Sequence, residues 1–277
     1  MPTMLPEPER YDFPEHLRGV ASVGDIEANG LLEDKLDIVN GELVVHKAAD
    51  RLWMACHIIP STGECWDFIE DDCLKQYGRA LKRYNRRTGR KVTLLPLSLL
   101  PQFWEHCGRQ TYHNGMKFDY PVVEKLMGYH LCRTKRWDTL IQSQTQNSDR
   151  EYAMGSTSGA HSIESWAIRI NKGTKVEHED WLNFSEGMYH RCVRDVEILV
   201  DVQVALEDER EIDQIECNID WTEALDTEHM SAFWISYSEM WGFPIDTTYA
   251  KSLVHLWDNK LDEIEDELLP DMPYRLD

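Results

Sequence analysis

The strongest constraint on the fold is the stretch Val20-Ala21-Ser22-Val23-Gly24-Asp25-Ile26-Glu27-Ala28-Asn29-Gly30-Leu31-Leu32, an apolar run that ends in two acids one residue apart. A β-strand alternates its side chains between faces, so Asp25 and Glu27 would project from the same side near the strand's end. Two carboxylates then share one small site, and their repulsion must be relieved by a proton, by water or by a cation. A hard divalent cation is a common remedy. An exposed strand end carrying two solvated acids would show the same pattern.

A chain of 277 residues that is 42% hydrophobic and has ten Trp is long and apolar enough to bury a sizeable core. Its formal charge of -21 argues against a protein that coats nucleic acid, because phosphate contacts dominate such binding. It leaves room for a nucleic-acid enzyme with local basic patches and an acidic site. Seven Cys without a C-x-x-C pair signal neither a zinc site nor a disulfide framework. No signal peptide is legible before Glu15, and the run Val92–Leu100, broken by Pro96, is too short to span a bilayer. The expectation is a cytoplasmic protein without membrane partners.

Beyond a leader, the runs Leu52–Ile59 and Glu64–Ile69 flank Pro60 and Ser61-Thr62-Gly63, which reads as a hairpin that completes a three-stranded meander with the first strand. Between Lys75 and Lys91 stand eight Lys/Arg and no acid, with Tyr77 and Tyr84 interleaved. Two readings fit, a track for a phosphate backbone and a solvated helix face. A short strand at Gln110–His113 leads to Asp119. A helix over His161–Ile170 follows from Ile163, Trp166, Ala167 and Ile170, and a longer one starts near Asn183 or Ser185 with Met188, Cys192, Val193, Val196, Leu199 and Val200 on its buried side. Thr222–Trp241 is helical in pattern and ends at Gly242 and Pro244. Asp246 caps a last helix with the stripe Ala250, Leu253, Val254, Trp257, Leu261, Ile264 and Leu268, which either packs on the domain or awaits a partner.

Four acids stand out together, Asp25, Glu27, Asp119 and Asp195. They fall in three of five ordered blocks: Asp25–Leu32, His113–Asp119, Asp138-Thr139, Ala160–Trp166 and Cys192–Val196. These blocks resemble the proofreading exonuclease domain of family A DNA polymerases, nearest to the replicative polymerases of short-tailed bacteriophages, over roughly Val20 to Val204. The resemblance implies an α/β, ribonuclease-H-like fold of the DnaQ or DEDD type, a mixed five-stranded sheet flanked by helices with a C-terminal helical extension. It divides the chain into a leader (1–19), a 3′-to-5′ exonuclease domain (20–210) and an extension (211–277) like the start of a polymerase domain. The implied cofactors are two divalent ions, Mg²⁺ or Mn²⁺, and the implied partners are single-stranded 3′ ends of DNA and a separate polymerase chain.

By the same resemblance Asp25 bridges both ions, Glu27 and Asp195 complete the nucleophile-side site, and Asp119 holds the second ion. Leu31 would wedge beside the terminal base, and Asn114 is a further substrate contact. One position departs from the pattern. The family has Tyr four residues before the last Asp, where this chain has Arg191. His190 stands at the spacing of the other DEDD subgroup, whose His is a general base, and His190 is assigned that role here. Helix geometry disfavours it, since five residues rotate about 140° and four only about 40°, which gives Arg191 the face of Asp195.

His113 and His161, lacking partners at metal-ligand spacing, read as hydrogen-bonded structural residues. The palm and fingers motifs of a polymerase do not follow, so the expectation is an exonuclease half that docks through Asp220–Leu269. An exoribonuclease on the same fold and a catalytically silent assembly subunit stay open beside it.

Overall fold

The computed structural model describes residues 10–39, 42–173, 180–242 and 244–268, with the side chains of 35–46 left aside. The first nine leader positions, Phe243 and the end of the extension from Leu269 lie outside the described residues. In chain order the elements are β1 (Ser22–Ala28), β2 (Lys35–Val39), β3 (Glu42–His46), β4 (Leu52–Ile59), β5 (Glu64–Ile69), α1 (Asp71–Thr88), β6 (Val92–Pro96), α2 (Leu100–His106), β7 (Gln110–Tyr112), α3 (Asp119–Met127), β8 (Arg136–Asp138), α4 (Thr139–Gln146), α5 (Ile163–Arg169), α6 (Glu186–Ile212), α7 (Thr222–Trp241) and α8 (Thr247–Leu268). The chain divides into two compact units, one through Tyr237 and one from Ser238.

The first unit is an α/β layer structure with a mixed six-stranded sheet in the order β6-β5-β4-β1-β7-β8, compatible with a ribonuclease-H-like fold. The expected meander is there, with β1 antiparallel to β4 and β4 antiparallel to β5. β6, β7 and β8 pair in parallel with β5, β1 and β7. The sheet has one strand more than the five expected. A separate hairpin, β2–β3, interrupts the meander between β1 and β4.

Period two explains how β1 serves two cores. Ile26 and Ala28 face a cluster with Leu17, Phe103 and Tyr120, while Val23 faces one with Met188, Cys192 and Val196. Helices α2 and α3 therefore cover one face of the sheet, and α1, α5 and α6 the other. The second face is sealed by α6, which Ser185 caps by accepting from the Met188 N–H at 3.1 Å. Of the positions the sequence pattern marks, Met188, Cys192, Val193, Val196 and Leu199 are buried and Val200 is partly so. Helix α1 is capped by Glu70 and terminated by Gly89 at φ 75°, a left-handed conformation that glycine adopts without strain.

In the second unit, Asp246 accepts from the N–H groups of Thr248 and Tyr249 at 3.0 and 2.9 Å and so caps α8 as its sequence suggests. Val254, Trp257, Leu261 and Ile264 on that helix are exposed. Among the described residues no helix is long and apolar enough to cross a membrane.

Candidate active site

Three elements carry the four acids to one place. Asp25 and Glu27 leave β1 on the α6 side of the sheet, next to an irregularity in the β1–β4 register at Glu27/Ala28. Because β7 runs parallel to β1, with Ser22 opposite Gln110, the chain leaving Tyr112 emerges at the same sheet end as Asp25. It turns through Asn114 (φ 64°) and Gly115, where a Cβ would come within 2.5 Å of the Tyr112 Cβ, and enters α3 with Asp119 in its first turn. Asp195 comes from the buried face of α6. Glu27, Asp119 and Asp195 are 5%, 3% and 2% exposed, so three of the four acids are held largely out of water.

These residues line one cleft of about 1450 Å³, together with Leu31, Asn114, His113, His161, Trp181 and Arg191. Ligand atoms of Asp25, Glu27 and Cys192 lie within 4.8 Å of one another. Burial pushes the Asp119 carboxyl well above its usual range, and the neighbouring Asp25 and Asp138 carboxylates push it further; the backbone N–H groups of Asp119 and Ile26 pull the other way. Asp25 therefore adjoins both Glu27 and Asp119. Asp119 Oδ1 is buried with no hydrogen-bond partner among the described residues, which is the condition expected of an oxygen awaiting a cation. Burial also pushes the Cys192 thiol well up, with Cys56, Asp25 and Glu27 acting in the same direction, and its Sγ lies 3.5 Å from the Asp25 carbonyl oxygen as a donor. Cys192 is thus a neutral wall of the site.

Around this centre the motif residues divide into those that hold the loops and those that face the cleft. Asp138 accepts from the N–H groups of Asn114 (2.9 Å), Met116 (3.0 Å) and Leu140 (2.9 Å), so it caps α4 and pins the turn that leads to Asp119. His113 Nδ1 lies 2.9 Å from Thr139 Oγ1 and His161 Nδ1 2.9 Å from Ser143 Oγ. Leu31 stands 45% exposed at the cleft, and Asn114 lies along its wall.

His190 is not brought to the acids. Its ring stacks on Tyr84 of α1, centroids 3.9 Å apart and 21° from parallel, and burial lowers its pKa. The adjacent residue takes the place instead. Arg191 Nε lies 3.4 Å from Glu27 Oε1 and 3.8 Å from Asp195 Oδ2, as one turn of helix dictates, with its guanidinium 4.7 Å over the Trp181 ring. The sequence reading passed over Cys192 and Trp181 as site residues. The one available signal was position, since Cys192 lies three residues before Asp195 on the same helical face.

An α/β fold compatible with the ribonuclease-H-like layout, carrying an acid-lined cleft at the end of its central strands, defines the structural class. No protein-family model matches the chain. The chain is similar to the DNA-directed DNA polymerases of Enterobacteria phage T3 and Escherichia phage T7. Each is 28% identical over 190 residues, which cover 53% of this chain and 27% of the relative. The resemblance to the exonuclease domain of family A polymerases is consistent with both. This chain spans about a quarter of the length of these curated relatives.

Proposed function

We propose that this protein is a metal-dependent 3′-to-5′ exonuclease that hydrolyses DNA to nucleoside 5′-monophosphates. The observation that carries the reading is the convergence of Asp25, Glu27, Asp119 and Asp195 from β1, α3 and α6 on one cleft. Similarity to two phage DNA polymerases supports DNA as the substrate.

Two divalent ions, Mg²⁺ or Mn²⁺, supply the chemistry when bound: they make a water nucleophilic and stabilise the departing 3′ oxygen. The residues fit such ions, given hard oxygen donors and a buried Asp119 oxygen without a hydrogen-bond partner among the described residues. Asp25, which adjoins Glu27 on one side and Asp119 on the other, would be the shared ligand. Glu27 and Asp195 would serve the nucleophile side, and Asp119 the leaving-group side. Leu31, exposed at the cleft, gives the terminal base an apolar surface, and Asn114 a polar contact beside it. Asp138 acts through the turn it pins and holds Asp119 in register with β1.

A second reading has its own observation. Arg191 already pairs with Glu27 and Asp195, as it would in an assembly subunit that had lost catalysis. A separate polymerase chain is a further partner in either case, and co-purification tests it. The deciding experiment incubates the protein with 5′-labelled single-stranded DNA and RNA in Mg²⁺, Mn²⁺ or chelator, beside the Asp25→Ala/Glu27→Ala variant. A metal-dependent ladder on DNA that the variant fails to make is the expected result. A ladder on RNA alone moves the substrate to RNA, and no degradation with any metal leaves the assembly subunit.

A further inference from the structure

Arg191 is a cation of the cleft that touches two of the four converging acids. Its side chain is 17% exposed and spans Glu27 on β1 and Asp195 on α6. A divalent cation on the nucleophile side needs those same two carboxylates. Two cations cannot share them at contact distance, because like charges a few ångströms apart in a partly dry cleft repel strongly. In that same placement the guanidinium lies 4.7 Å over the face of Trp181, whose backbone carbonyl is held by the Trp53 indole N–H at 3.0 Å.

We infer that Arg191 is a built-in counter-ion that competes with the divalent metal for Glu27 and Asp195. The inference rests on the metal-dependent reading above. Without metal, the guanidinium neutralises part of the carboxylate charge and ties β1 to α6. When metal binds, the guanidinium withdraws from the carboxylates along the Trp181 face, and the affinity of the site falls by the free energy of that withdrawal. The protein therefore needs more free metal to load than the same four acids would need alone. No bond is made or broken in this step; one cation replaces another.

The test is Mn²⁺ binding to the full chain by isothermal calorimetry in the absence of nucleic acid, with thermal unfolding measured with and without Mn²⁺. Arg191→Gln is expected to bind Mn²⁺ about tenfold or more tightly than wild type. The same variant unfolds at lower temperature than wild type when metal is absent and gains more from added Mn²⁺. Arg191→Lys keeps the charge and is expected to stay near the wild-type affinity. Should the Gln variant not fold, Arg191→Met makes the same comparison with the aliphatic stem preserved. Equal or weaker Mn²⁺ binding by the charge-removed variant overturns the inference, and so does equal tightening by Arg191→Lys. The Asp25→Ala/Glu27→Ala variant separates the two layers: if wild type binds no Mn²⁺, or binds it as well as this double variant, the metal-dependent reading fails rather than the role of Arg191.

Discussion

Helix α6 carries two polar clusters within two turns of each other, and they are built on opposite principles. At Tyr189 the phenol donates a short hydrogen bond to Asp67 Oδ2, accepts from Asn85 Nδ2 at 2.6 Å, and meets Arg90, whose guanidinium lies 3.1 Å from the same carboxylate. One buried acid there faces one buried cation, which also lies 3.8 Å from the partly exposed Glu197. Burial opposes the charge on Arg90, yet the Asp67 carboxylate prevails and raises its pKa. At Arg191 and Asp195, half a turn to two turns further on, four carboxylates gather at a cleft, two of them against one guanidinium. The balanced cluster ties β5, α1 and α6 together. The unbalanced one stores like charge that folding alone gives no reason to keep, and surplus charge at a cleft is what distinguishes a ligand-binding centre from a structural network.

The sharpest way to break this comparison is to remove charge from each cluster and ask what is lost. Asp25→Ala/Glu27→Ala should abolish metal-dependent degradation, a loss of at least about a thousandfold if metal-borne charge stabilisation contributes several kcal/mol. Its metal-free stability in urea should hold or rise, because repulsion is relieved. The opposite result is expected at the other cluster. Arg90→Ala leaves Asp67 buried beside no cation and should cost about 3–5 kcal/mol in urea unfolding, while the rate per folded molecule is kept. If Arg90→Ala costs nothing in stability, or the double acid variant unfolds, the division between the two clusters is wrong.

A pH titration extends the comparison to a polar group on the other face of the sheet. His57 is fully buried among Ser22, Trp104 and Tyr112, packed so close to Gly24 that a Cβ there would meet its ring at 2.6 Å, and burial pushes its pKa down to about 3. Between the ordinary His value and that depressed one, the unfolded chain binds a proton that the folded protein refuses. Stability from this group is present above about pH 6.5 and is lost as pH falls, with a slope of at most about 1.4 kcal/mol per pH unit. Urea melts from pH 7 to pH 4 on wild type and His57→Gln should show the shallower slope in the variant.

Legibility followed the range of the contacts rather than their charge balance. The bounds of β4 and β5, the Ser185 cap of α6 and the Asp246 cap of α8 were readable because each rests on contacts within a few residues. The pairing of β2 with β3 was also signalled, by alternating runs around Asn40-Gly41 in the sequence, and went unread. Arg90 was not readable. It follows the exposed cations of α1, but Gly89 turns the chain and sends its side chain inward to Asp67, a contact 23 residues away that no local pattern encodes. Cys192 against Asp25 is a contact of the same kind, made only when α6 lies on β1. The order of the acids marked which residues to watch; how Arg191 sits among them required the packed helix.

The smallest effect expected is the most discriminating for the general-base role that the spacing assigns to His190. Its ring stacks on Tyr84, so His190→Ala should cost about 0.5–1.5 kcal/mol in stability. At saturating metal the exonuclease rate should be unchanged, because the ring lies against α1 and not among the acids. Tyr189→Phe, one residue away, removes the hydroxyl that bridges Asn85, Arg90 and Asp67 and should cost about 1–3 kcal/mol with the rate again kept. The two neighbours would then differ in stability and agree in activity. A large rate loss in His190→Ala at full metal loading would mean that the first turn of α6 rearranges when substrate binds, bringing this imidazole where Arg191 now stands.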